Sequence, residues 1–211
     1  MAEPAPRLYL ITPPLAAAGD FASLFEAALG AGDIACVLVR TQRLAPSEIK
    51  KIIAVLAPLA QKHDVAVLVS DPQLAARCDA DGVHVSGIGA ALDVAVAAMK
   101  PDRIVGVGGL SSRHEAMQAG ESGADYVMFG GPEQVEDQAS VVERTAWWAG
   151  IFTLPCVGYA RTLDDVGPLA GAGADFIALG DAVWQHPEGV AAAVEEVMRA
   201  LATSTAREAI S

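Results

Sequence analysis

Short runs of apolar, often β-branched residues recur along the chain at 8–12, 34–39, 65–69, 82–85, 103–107, 126–129, 152–157 and 176–179. They are nearly continuous rather than alternating, so each is expected to be buried on both faces, as parallel strands covered by helices are. Between them the spacing is helical. The segment from Pro46 to Gln61 sets Ile49, Ile52, Ile53, Leu56, Leu59 and Ala60 along one stripe, and 163–171 reads the same way. A first helix is expected at 21–30 and a last at 188–201, with a loose tail over 202–211. Strand and helix alternate throughout, which defines an α/β chain. Eight such units in 211 residues predict a single domain, a (β/α)8 TIM barrel over 7–201 that works at the C-terminal ends of its strands. A doubly wound open sheet is the alternative.

Two segments repeat one another, Gly123-Ala-Asp-Tyr-Val-Met-Phe-Gly130 and Gly173-Ala-Asp-Phe-Ile-Ala-Leu-Gly180, with a weaker third copy at Asp79-Ala-Asp-Gly-Val-His-Val85. Glycine after a helix takes the left-handed backbone, Ala-Asp turns the chain, and an apolar strand follows at once. The motif therefore reads as the turn at the bottom of a barrel, structural rather than catalytic.

Composition narrows the function classes. A net charge of −12, with 14 scattered Lys and Arg, opposes binding to a phosphate backbone, so nucleic acid is not an expected partner. No apolar stretch approaches the roughly 18 to 20 residues that cross a bilayer. The first residues also lack a basic flank followed by an apolar segment, so a cytoplasmic location is expected. Cys36, Cys78 and Cys156 are widely spaced with no CxxC pair, and read as small buried hydrophobes rather than metal ligands.

The chemistry is expected where strands end: Thr12-Pro-Pro14, Arg40-Thr-Gln42, Ser70-Asp71, Ser86-Gly87, Gly108-Gly109, Gly130-Gly-Pro132, Gly158-Tyr-Ala-Arg161 and Gly180-Asp181. The candidate substrate-binding positions among them are Ser70, Gly108, Gly130, Arg161, Gly180 and Asp181. Arg40 and Asp71 are charged residues among these strand ends. Arginine can grip phosphate or carboxylate through two parallel N–H groups. A carboxylate at a strand end suits a hard cation that also binds phosphate oxygens. Asp71 before Pro72 is equally a good helix start, and both readings stay open. Asp181 either caps its own helix or pairs with Arg161.

Taken in order, Leu8-Tyr-Leu-Ile-Thr-Pro13, Ser70-Asp71 with Asp79-Ala-Asp-Gly-Val-His-Val85, Gly106-Val107, Gly123-Ala-Asp-Tyr-Val127 and Ala172-Gly-Ala-Asp-Phe176 resemble the thiamine phosphate synthase and TenI family, from residue 7 to about 185. The resemblance implies a barrel that takes phosphorylated small molecules. It joins a hydroxymethylpyrimidine diphosphate to a thiazole phosphate with Mg2+, or in the TenI branch isomerises a thiazole carboxylate phosphate. Arg40 matches the arginine of the family's Gln-x-Arg-x-Lys run, whose outer members are absent here. Asp71 matches the aspartate of an Asn-Asp pair that holds Mg2+, and is the candidate metal ligand; the resemblance thus makes Arg40 and Asp71 the candidate catalytic residues. Gly89 stands where the second Mg2+ aspartate is expected, with Asp93 the next acid. His84 falls in the inner barrel layer and reads as structural. Gly106-Val-Gly-Gly-Leu110 lacks the serine and histidine of the fifth strand, and His114 comes too late to replace the tautomerase histidine. After the sixth strand, Gly131-Pro-Glu-Gln-Val-Glu-Asp137 replaces a Thr- and Lys-bearing loop with three acids. Two functions lead, a synthase with a thinned diphosphate and Mg2+ site, or a divergent barrel that binds a small molecule or regulates without catalysis, with a TenI-type tautomerase as a third. Tyr9, Phe129, Tyr159 and Trp184 lie near the barrel, and Trp147 and Trp148 read as packing or as a contact in a homo-oligomer.

Overall fold

A computed structural model describes residues 5–208. The strands are β1 (Arg7–Ile11), β2 (Ile34–Leu38), β3 (Ala66–Val69), β4 (Gly82–Ser86), β5 (Ile104–Gly108), β6 (Tyr126–Phe129), β7 (Cys156–Ala160) and β8 (Phe176–Leu179). Each is parallel to its neighbours, and β1 pairs with β8, so the sheet is closed and the open-sheet alternative falls. The helices are α1 (Phe21–Leu29), α2 (Pro46–Gln61), α3 (Pro72–Cys78), α4 (Ala90–Met99), α5 (Arg113–Glu121), α6 (Gln138–Ala149), α7 (Val166–Gly171), α8 (Asp181–Trp184) and α9 (Val190–Glu208), with a 3-10 turn at Leu163–Asp165.

Strand residues alternate between two cores. One set, including Leu8, Leu10, Val37, Val67, Val105, Val127 and Phe129, packs outward against the helices. The other points inward, where Tyr9, Ile11, Leu38, Leu68, Tyr126, Met128, Val157, Tyr159 and Ala178 fill the barrel. Inner space is limited, and glycine supplies it. A Cβ at Gly106 would stand 1.9 Å from Tyr126 Cζ, so that ring fits only because position 106 has no side chain.

The repeated turns do more than reverse the chain. Gly123 and Gly173 have φ of +92° and +84°, and in the weaker copy Asp79 takes the left-handed role at +54°. The aspartate two places on then ties its strand to the preceding one. Asp81 accepts from the Val67 amide at 2.7 Å, Asp125 from Val105 at 2.8 Å, and Asp175 from Cys156 at 2.8 Å. The backbone N–H of each aspartate donates in return to the carbonyl of the same partner residue. Asp33, before β2, does the equivalent through a side chain, receiving Arg7 Nε at 2.9 Å and Nη2 at 2.7 Å.

Two boundaries differ from the sequence pattern by more than two residues. β7 begins at Cys156, not at residue 152, because Pro155 has no N–H to give a ladder. Phe152 instead stacks on Trp148 at 4.1 Å, and the Leu154 carbonyl accepts from Trp148 Nε1. The tail expected over 202–211 is helical as far as Glu208, while 209–211 lie outside the described residues. No Gly or Pro interrupts α9 there, and the Thr203 and Ser204 hydroxyls bond back to the Arg199 and Ala200 carbonyls, which keeps them within the helix.

Asp175→Ala leaves the part-buried Cys156 amide without its acceptor and is expected to cost about 2 kcal/mol. Urea denaturation measures this against Asp93→Ala, an exposed helical control. Equal midpoints for the two variants would show that the strand-linking contact carries no stability.

Candidate active site

At the C-terminal mouth of the barrel lies a cavity of about 690 Å³. Inner-layer residues Ile11, Leu38, His84 and Met128 make its floor. Arg40, Ser70 and Asp71 line one wall, and Ala90, Ala91 and Val94 of α4 supply an apolar one. Residues Gly130 to Gln134, in the loop after β6, also line it, as do Ser86 and Gly109. Four positions expected from the sequence, Arg40, Ser70, Asp71 and Gly130, thus meet in one place. The other four do not line it.

Arg40 is held from below. Its backbone N–H donates to the hydroxyl of buried Thr12 at 2.9 Å, and its carbonyl accepts from Leu15 at 3.0 Å, which joins the ends of β1 and β2. Its guanidinium meets Glu133 of the opposite loop, Nη2 to Oε1 at 2.5 Å.

Asp71 caps its helix and also faces the cavity. Oδ1 caps α3, accepting from Gln73 N at 2.7 Å and Leu74 N at 3.4 Å, and the residue still lines the cavity. Mg2+ is commonly held by one or two carboxylates together with substrate phosphates and water, so the second oxygen of Asp71 fits such an ion when a phosphorylated ligand accompanies it. Among the described residues there is no cluster of three or more His, Cys, Asp or Glu side chains that would hold a metal unaided. Gly89 caps α4 at φ +110° and ψ −155°, a backbone region essentially restricted to glycine. An aspartate is therefore disfavoured there by the main chain itself, and Asp93 is an exposed residue of α4.

Below the cavity runs a string of polar side chains. His84 Nδ1 lies 2.9 Å from Tyr126 Oη, which lies 2.9 Å from Tyr9 Oη. The His84 ring stacks near Tyr126 at 5.7 Å, and a Cβ at position 108 would come within 2.7 Å of His84 Nε2. Burial pushes the imidazole down to about 4, so it is neutral at physiological pH. Burial likewise drives both phenols well above their ordinary range.

The remaining positions have other duties. The Gly108 carbonyl accepts from Gly87 N at 2.7 Å, and Gly180 lies beside the Tyr159 hydroxyl. Arg161 neither pairs with Asp181 nor enters the cavity, because its guanidinium donates to the Glu136 carbonyl. Asp181 is the first residue of α8, one place past the capping position, which Gly180 occupies. Tyr159 senses these charges: burial raises its phenol pKa, Asp181 acts in the same direction, and Arg40 and Arg161 oppose. Arg144 is marked by no strand end and no motif. This residue of α6 pairs with Glu136, donates to the Leu110 carbonyl at 2.6 Å and lies over Phe129, anchoring the acidic loop. An i,i+8 pair bridging loop and helix has no local signature. Trp148 and Phe129 are core residues, and Trp184 Nε1 donates to the Ile11 carbonyl at 2.7 Å.

A closed eight-stranded barrel with an arginine and a carboxylate beside an apolar floor defines a barrel suited to a small anionic molecule. Comparison with known proteins makes the class specific. The family model described as thiamine monophosphate synthase matches residues 8–183. The thiamine-phosphate synthase of Rhodospirillum centenum is 43% identical over 201 residues, covering 92% of this chain and 97% of that protein. That of Hyphomonas neptunium is 38% identical over 206 residues, 92% and 93% of the two chains. Among solved structures, the thiamine phosphate pyrophosphorylase from Pyrococcus furiosus superposes with a TM-score of 0.79 at 25% identity, over 94% of this chain and 96% of that one. The chain belongs to the thiamine monophosphate synthase family.

Because the folded pKa of His84 is depressed, the unfolded chain binds the extra proton first as pH falls, and stability is lost between about 6.5 and about 4. His84→Gln is expected to flatten that part of the stability–pH curve. NMR of the wild-type imidazole should show no titration above pH 5, and a midpoint near 6.5 would contradict its burial.

Proposed function

We propose that this protein is a thiamine-phosphate synthase, coupling a hydroxymethylpyrimidine diphosphate to a thiazole phosphate with release of pyrophosphate. The observation that carries the reading is the meeting of Arg40, Ser70 and Asp71 at one wall of a cavity with an apolar floor, in a chain matched along nearly its whole length by named synthases. The floor of Ile11, Leu38 and Met128 suits a flat ring, with neutral His84 beside it as a hydrogen-bonding group. Arg40 places fixed positive charge where the diphosphate gathers negative charge as the carbon–oxygen bond breaks and the thiazole nitrogen forms its bond to the pyrimidine methylene carbon. The leaving pyrophosphate takes the electron pair of the broken bond.

Asp71 is the residue that would hold Mg2+, together with oxygens of the diphosphate. The ion, when bound, supplies further neutralisation of the leaving group. Ser70 and the backbone at Gly130 frame the same space. The acidic loop and Gly89 favour a second reading, a barrel that binds its small molecule without turnover. Pyrophosphate release separates the two.

With both substrates and Mg2+ present, the purified protein is expected to release pyrophosphate stoichiometrically with product. Arg40→Ala is expected to lower kcat/KM about 100-fold, the loss of one charge-assisted contact made in the transition state, with Arg40→Lys intermediate. Asp71→Asn keeps an oxygen for the helix cap and is expected to raise the Mg2+ concentration needed for half-maximal rate. No release by wild-type protein would favour the non-catalytic reading.

A further inference from the structure

The Arg40–Glu133 pair crosses the mouth of the barrel, since Arg40 follows β2 and Glu133 follows β6, four strands apart in the closed order. Its two halves differ in freedom. The Arg40 side chain is 19% exposed, while that of Glu133 is 81% exposed. The arginine is built into the cavity wall beside Ser70, tied through its backbone to Thr12 and Leu15. The glutamate sits at the free part of its loop, which is pinned further on by Glu136 to Arg144 and Arg161. The carboxylate is thus the partner that swings into water at little cost, and the guanidinium is the partner that stays.

We propose that Glu133 is an internal competitor at the binding site: a carboxylate that occupies the anion position of Arg40 in the free protein and yields only to anions that bind strongly enough to displace it. The inference rests on the reading that a diphosphate binds at Arg40. A tethered carboxylate competes at an effective concentration of roughly millimolar. A ligand bearing one negative charge gains no more from Arg40 than Glu133 already does. A diphosphate brings several charges and many acceptor oxygens, and it wins the arginine. Once displaced, Glu133 remains close on the same loop and repels the bound anion, so the same residue loosens the grip on pyrophosphate after it is released.

The test is calorimetric titration of the full chain with inorganic pyrophosphate, without divalent cations, and with inorganic phosphate as the weaker anion. Glu133→Gln and Glu133→Ala are both expected to bind pyrophosphate about tenfold more tightly than wild type, because each removes the competing charge. Inorganic phosphate should gain affinity in both as well, because the carboxylate competes with every anion at Arg40. A merely structural latch behaves differently: glutamine preserves the contact and alanine breaks it, so the two variants would diverge. An affinity of Glu133→Gln equal to or weaker than wild type overturns the proposal. If Arg40→Ala abolishes binding while Glu133→Gln leaves it unchanged, the arginine site stands and the role of Glu133 falls. If neither wild type nor Glu133→Gln binds pyrophosphate at millimolar concentration, both fall.

Discussion

Closing a sheet into a barrel requires each strand to start at the correct height relative to its neighbour, and in this protein an aspartate sets that height. Asp81, Asp125 and Asp175 stand just before β4, β6 and β8, and each clasps one residue of the preceding strand by both its amide and its carbonyl. A slip of one residue would leave a carboxylate without its amide donor and turn the inner side chains outward. At the first pair an exposed Arg7–Asp33 salt bridge joins the same ends of β1 and β2. Strands are thereby fixed two by two at the end of the barrel remote from the cavity, and the opposite end is left free for loops of differing chemistry.

Fixed register gives the interior its fit. Tyr126 fills the gap at Gly106, and His84 comes close to Gly108, so large inner residues face positions with no side chain on the neighbouring strand. That arrangement carries the polar string from Tyr9 to His84 without an orphaned hydroxyl, and it delivers a neutral imidazole to the cavity floor.

Much of this was legible in the chain. Apolar runs located all the strands, with only β7 misplaced because its run extended across Pro155, and the Gly-Ala-Asp repeats marked the turns. The reciprocal use of the aspartate side chains was not legible, since a carboxylate that bonds a neighbouring strand has the same local sequence as one that faces water. Arg40 and Asp71 could be singled out because each follows a strand and matches a charged residue of the family's motifs. What Arg40 touches could not, because Glu133 lies 93 residues further on and reaches it only through the closure of the barrel. Arg161 and Asp181 illustrate the converse: neighbouring strand ends suggested a pair, and the acidic loop captured the arginine instead.

The string beneath the cavity has a direction. In a neutral imidazole one nitrogen donates and the other accepts. If Nδ1 accepts, Tyr126 must give its proton to His84 and in turn receive one from Tyr9; if Nδ1 donates, both hydroxyls must rotate. The orientation of two phenols packed in the middle of the barrel is therefore tied to which face of hydrogen-bonding chemistry His84 shows at the floor above, so the core is organised around a choice of tautomer rather than around apolar shape alone.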